Sequence, residues 1–343
     1  MSELDNLLKD INKQFKEEIA FKGLERKDFT RIPFSSPRMN YILYGGIARN
    51  TITELSGEEG SGKTTTALDL VKNMQLILKK EDSKKKVVYI DAENTLDELW
   101  ASKLGVDVDN LVMIRPQEQT TEQILDVAEK VITTNEVAMV VIDSIAVLVP
   151  QQIYDESYEK KAYGGNATAL TRFVSKIVPL LRKYECTLLL LNQVRQDINN
   201  PYNQYLTPGG QALKHQCSVR LSFRRGDFLD EKGNKIPNYS TNPIGHKVMC
   251  SVVKTKICRP DRKLGFYTLN YLEGIDWITD LIDVCIECNL ITQAGAWYYL
   301  NDENGELIEK FNGRSKLIDK LKSDNELVEN LNKIIQPFIE RVE

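Results

Sequence analysis

Apolar positions along the chain follow two alternating rhythms. Short unbroken apolar runs at 51–55, 87–90, 137–142 and 187–191 are separated by stretches at 64–78, 96–104, 121–132 and 168–184 that keep a helical period. Continuous apolar runs mark strands covered on both faces, and connections of this length cross over right-handedly to a parallel neighbour. The pattern predicts an α/β core with a doubly wound, mainly parallel sheet. After residue 217 the rhythm changes. Segments 219–225, 247–253 and 266–271 read as strands parted by turn-rich stretches such as Asp230-Glu231-Lys232-Gly233-Asn234, which suits an antiparallel extension of the sheet. From 272 onward, a helix reaching Cys288, a hairpin about Asn304-Gly305 and a helix over 317–338 predict a small α+β unit. At the front, Leu4, Leu7, Leu8, Ile11, Phe15 and Ile19 lie on one face of a helix over 4–20. The expected division is 1–30, 31–271 and 272–343.

Composition changes this picture little. With 343 residues, 42% of them apolar and 27% charged, the chain is long enough for one sizeable core and apolar enough to fold. Nothing in it reads as a membrane span or an export leader, so the expectation is the cytoplasm, of a bacterium or of a phage's host. Six cysteines sit mostly in apolar segments and read as reduced thiols. Cys285 and Cys288 have the spacing of metal ligands, but no second pair completes a zinc set. A net charge of −4 excludes binding nucleic acid through bulk positive potential and leaves only local basic loops for such contact.

The chemistry concentrates at strand ends. Gly57-Glu58-Glu59-Gly60-Ser61-Gly62-Lys63-Thr64, followed by Thr65, fits the phosphate-loop pattern between a strand and a helix. Glycines let backbone N–H groups face phosphate oxygens, Lys63 adds charge near the β and γ phosphates, and the Thr64 hydroxyl can hold Mg²⁺. ATP and Mg²⁺ are therefore the expected ligands. Asp143 ends a buried strand where it could reach Mg²⁺ through water, or cap a helix after it. Asp91 and Glu93 end another strand two residues apart, so in extended chain they share one side. A carboxylate there could orient or deprotonate water, although loop acids are commonplace. Gln193, at the next strand end, could touch a γ-phosphate or be an ordinary turn residue.

Taken in order, these segments resemble the RecA family. The phosphate loop, Asp91-Ala92-Glu93, Lys103-Leu104-Gly105-Val106-Asp107, Val141-Ile142-Asp143-Ser144 and Asn192-Gln193-Val194-Arg195 match its landmarks. Gly209-Gly210-Gln211-Ala212-Leu213-Lys214, Val253-Lys254-Thr255-Lys256-Ile257 and Gly295-Ala296-Trp297-Tyr298 continue the match over nearly the whole chain. The resemblance implies an ATP-dependent recombinase that forms helical filaments on single-stranded DNA and exchanges strands with duplex DNA. It implies Glu93 as catalytic carboxylate, Gln193 as γ-phosphate sensor, and Asp97 and Trp100 at the adenine. Lys254 and Lys256 would reach the nucleotide of the next subunit, onto which the amino-terminal helix would dock. It further implies DNA-facing loops at about 151–165 and 194–210, where Lys160, Lys161, Arg195 and Arg172 would meet phosphates. Tyr163 and Tyr202 would lie near bases, and Gly209 and Gly210 would allow close backbone approach. The second loop is one residue shorter than the family's pattern, and His215 stands where an interface aromatic is usual. Two other readings share the nucleotide core: a ring-forming ATPase of helicase type, and an ATP-liganded mediator that binds single-stranded DNA.

Overall fold

A ten-stranded sheet is the spine of residues 31–343 in the computed structural model. The structure describes residues 3–15, 20, 30–155, 165–196, 205–231, 233–237 and 239–340. Residues 1–30 form a separate unit. Its helix, Glu3–Phe15, buries none of its residues, and Leu4, Leu7 and Phe15 are exposed.

Six neighbouring strands of the sheet are parallel, in the order Val219–Leu229, Ile52–Gly57, Thr187–Gln193, Val137–Asp143, Lys86–Asp91 and Leu111–Ile114. Strands Ile52–Gly57 and Val137–Asp143 are buried at every position, as their apolar runs require. Alternate residues feed two cores. Val87, Tyr89, Val141, Leu189 and Leu191 pack with Ala67, Leu70, Val71 and Met74 of helix Lys63–Lys80. Val88, Ile90, Val140, Leu188 and Leu190 pack with Ile124 and Leu125 of helix Thr121–Thr133 and with Phe173, Val174 and Ile177 of helix Gly165–Lys183. Helices thus cover both faces, and all the parallel strands end on the side of the phosphate loop.

Two expectations change. Strand Val219–Leu229 pairs in parallel with Ile52–Gly57, so the antiparallel extension begins only with Gly245–Thr255 and continues through Leu264–Asn270. Its turn-rich flank resembles a hairpin because it does lead into one, on the other side. The helix expected over 317–338 is two helices, Arg314–Ser323 and Asn325–Glu340. Asp324 breaks them apart at φ −126 and ψ 84, and its carboxylate accepts a hydrogen bond from the Leu327 N–H at 2.9 Å. These helices, with Trp277–Glu287 and the antiparallel strands Ile291–Ala294, Trp297–Asn301 and Leu307–Asn312, enclose a third core around Leu281, Leu300, Leu317 and Leu331. Among the described residues no helix is long and apolar enough to cross a membrane.

Candidate functional site

The loop between strand Ile52–Gly57 and helix Lys63–Lys80 turns at Gly60 and Gly62, whose φ angles are 66° and 91°. A side chain at Gly62 would also meet Val248 at 2.8 Å, so the position requires glycine twice over. Lys63 is buried, and its ammonium donates to the carbonyls of Gly57 at 2.9 Å and Glu58 at 2.6 Å. Burial pushes its pKa below the usual range, while Asp143 and Glu93 nearby oppose that shift. The Ser61 hydroxyl closes the loop on the Glu58 carbonyl at 2.6 Å, and Thr66 ties the helix start to Gly62 O at 2.8 Å. Gly60, Ser61, Gly62, Lys63, Thr64 and Thr65 line a cavity of about 180 Å³, shared with His246 and Leu269.

Two acidic centres flank the loop. Thr64 Oγ1 donates to Asp143 Oδ2 at 3.0 Å, and the buried Tyr89 hydroxyl donates to the same oxygen at 2.6 Å. Burial raises the Asp143 pKa, and these two hydrogen bonds pull it down. A hydroxyl and a carboxylate are the hard oxygen donors that suit Mg²⁺, which usually takes one or two protein ligands and completes its shell with water and phosphate. Among the described residues no cluster of three or more His, Cys, Asp or Glu side chains that could hold a metal ion occurs. The second centre is Glu93. Its Oε1 accepts from Ser144 Oγ at 2.5 Å and from Gln193 Nε2 at 3.0 Å. Asp91 does not share its side: the Asp91 carboxylate turns back to accept from Thr95 N and Leu96 N.

Other expected site residues lie farther apart. Asp97 caps helix Glu98–Lys103 through Leu99 N and Trp100 N, and Trp100 packs half-buried against the first core. Lys254 Nζ donates to the carbonyls of Lys214 and His215, and Lys256 Nζ donates to that of His215. Both lysines therefore rest on the carboxyl end of helix Gly210–Gln216 of their own chain.

Of the two loops, residues 156–164 and 197–204 lie outside the described residues, and Lys160, Lys161, Tyr163 and Tyr202 fall among them. The first loop starts as helix Gln151–Asp155. Exposed Arg172 lines a groove with Glu122, Asp126 and Glu129. Exposed Arg195 begins a two-residue strand that pairs with Tyr205–Leu206. Gly209 and Gly210 have φ of 109° and 79°, and a Cβ on Gly209 would meet Leu213 at 2.7 Å. A polar network holds this end of the loop. Asn192 Nδ2 donates to Glu54 Oε1 at 2.8 Å and to Pro208 O at 2.9 Å, while Arg220 pairs with Glu54 and reaches Thr207 Oγ1 at 3.0 Å.

Sequence reasoning missed Tyr89, Ser144, Glu54 and His246. Ser144 had a signal, directly following Asp143, and Glu54 stood out as a lone acid inside an apolar strand. Tyr89 looked like core because a phenol inside an apolar run does not reveal its partner.

Residues 2–276 match the family profile of the RecA N-terminal domain. Protein RecA of Clostridioides difficile (strain 630) is 35% identical over 275 residues, covering 79% of this chain and 74% of that protein. Protein RecA of Malacoplasma penetrans (strain HF-2) is 32% identical over 340 residues, 98% of this chain and 96% of the relative. For Protein RecA of Bacillus pumilus (strain SAFR-032) the identity is 34% over 304 residues, 88% and 83%. With a profile spanning most of its length and full-length relatives above 30% identity, the chain belongs to the RecA family of recombinases.

Proposed function

We propose that this chain hydrolyses ATP while assembled as a helical filament on single-stranded DNA, and that the ATP-bound filament pairs with duplex DNA and exchanges strands. The observation that carries the reading is the contact of Glu93 with both Ser144 and Gln193, which joins the acid beside the phosphate loop to the strand leading into the second DNA loop. In this mechanism backbone N–H groups of Gly57 to Gly62, with Lys63, Thr64 and Thr65, cradle the phosphates, and Lys63 exchanges its carbonyl partners for phosphate oxygens. Glu58 and Glu59 shape the outer turn, and Asp97 and Trp100 meet the adenine. Thr64 and Asp143 would hold Mg²⁺, which would supply charge neutralisation at the phosphates. Glu93 orients and deprotonates the attacking water. Gln193 bonds the γ-phosphate and passes its loss to the loop behind it. Lys254 and Lys256 leave the His215 carbonyl to complete the site of a neighbouring subunit. Lys160, Lys161, Arg172 and Arg195 contact DNA phosphates, Tyr163 and Tyr202 face bases, and Gly209 and Gly210 admit the backbone closely. A three-part organisation, with 1–30 docking between subunits, 31–271 as the ATPase and 272–343 as a small appended domain, belongs to the same proposal.

The test is ATP hydrolysis with and without single-stranded DNA, with the same samples viewed by electron microscopy. Strong stimulation by DNA, helical filaments and loss of both activity and strand exchange in a folded Lys63→Ala variant are expected. Rings, or hydrolysis indifferent to DNA, would overturn the reading.

A further inference from the structure

Tyr89 stands within the apolar strand Lys86–Asp91 and is fully buried in the first core with Val87, Val141 and Leu189. Packing explains the ring and not the hydroxyl. A phenol oxygen taken out of water costs free energy unless it finds a partner, and phenylalanine would fill the same space without that cost. The partner lies at the end of the neighbouring strand: the hydroxyl donates to Asp143 Oδ2 at 2.6 Å. Burial, with Asp143 adding to it, raises the Tyr89 pKa well above the usual phenol value, so the hydroxyl keeps its proton and serves as a donor.

Thr64 Oγ1 donates to the same oxygen at 3.0 Å. Two donors therefore converge on Oδ2, and among the described residues no hydrogen bond reaches Oδ1. One carboxylate oxygen is spent inside the fold and the other is left over. The single proton of Thr64 is likewise committed to Asp143, which leaves only its lone pairs for anything bound at the phosphate loop. A hydroxyl that holds a cation must offer a lone pair rather than a proton.

We propose that Tyr89 is a positioning residue for Mg²⁺ at the phosphate loop: its hydroxyl anchors Asp143 through Oδ2, and so keeps Oδ1 and the Thr64 lone pairs free for the ion and its water. The proposal rests on the reading of Thr64 and Asp143 as the Mg²⁺ residues. Tyr89 acts through Asp143 alone. Without this anchor the carboxylate can turn toward the Lys63 ammonium, on which its charge already acts. Partners of this kind, one bond behind the groups that face a metal, set the orientation on which its affinity depends.

Calorimetry on the full chain measures ADP binding with Mg²⁺ and with EDTA, for the wild type, Tyr89→Phe, Asp143→Asn and the double variant. Phenylalanine keeps the ring in the core, and a melting curve confirms that the variant folds. Tyr89→Phe should bind metal-free ADP as the wild type does and lose about tenfold of the tightening that Mg²⁺ confers. Added to Asp143→Asn, it should cost nothing more. A full Mg²⁺ effect in Tyr89→Phe, an equal loss of ADP binding with Mg²⁺ and with EDTA, or a further tenfold loss on top of Asp143→Asn would each overturn the positioning role. Asp143→Asn that keeps the whole Mg²⁺ effect would instead overturn the Mg²⁺ site on which the proposal rests.

Discussion

Gln193 donates to Glu93 Oε1 across 3.0 Å, although their strands are not neighbours: Val137–Asp143 lies between them, and its follower Ser144 shares the same oxygen. A single carboxylate oxygen thus gathers three strand ends. If Glu93 is the general base and Gln193 the relay, the two can be separated. Glu93→Gln should lower kcat by about 10² or more while changing ATP affinity little. Gln193→Ala should keep basal hydrolysis and ATP binding and lose stimulation by single-stranded DNA. Single-turnover hydrolysis with and without DNA checks both.

Asp143 is buried, and burial raises its pKa, a rise that the hydrogen bonds from Tyr89 and Thr64 only partly offset. Ionised Asp143 therefore strains the nucleotide-free protein at neutral pH. Asp143→Asn should move the urea midpoint upward without nucleotide. The same variant should lose about tenfold or more of the tightening that Mg²⁺ gives to ATP binding, so stability and ligand response move in opposite directions. Loss in both would show that Asp143 is a purely structural acid.

The parallel core and the phosphate loop were legible because both are written locally, one in unbroken apolar runs and the other in a spaced glycine pattern. What escaped was pairing between distant segments. Strand Leu111–Ile114, an apolar run of only four residues that buries Leu111 alone at the sheet edge, was not read as a strand. Spacing put Asp91 and Glu93 on one side because it assumed extended chain, yet Asp91 caps the turn at Thr95 and Leu96. That Lys254 and Lys256 rest on the His215 carbonyl depends on a helix 39 and 41 residues away. The gap in the carboxy-terminal helices at Asp324 went unread because apolar spacing continues across it.

Asn192 connects the sheet to the second loop by bonding both Glu54 and Pro208. Glu54 is fully buried and keeps Arg220 as its ion pair. Asn192→Ala leaves that pair intact and removes the strut. It should cost about 2 kcal/mol of stability, read from urea unfolding, and should speed amide exchange selectively at residues 205–209. A stability loss without faster exchange there would show that the strut does not hold the loop.

Asp280 is buried to 1% exposure between the core and the carboxy-terminal elements, hydrogen-bonded to Ser36, with Oδ2 unpaired. Desolvation raises its pKa well above the ordinary carboxylate value, and Asp283 and Asp276 add to the rise against Arg38. A raised folded-state pKa means that the folded chain holds its proton more tightly than the unfolded chain. The stabilising contribution is full below the unfolded value near 4 and is lost as pH climbs toward the folded value. Asp280→Asn mimics the protonated form and has nothing to lose. Urea midpoints from pH 4 to 8 should therefore show the variant gaining on the wild type as pH rises, with little difference at the acid end. A constant offset across that range would mean that Asp280 does not titrate differently in the folded protein.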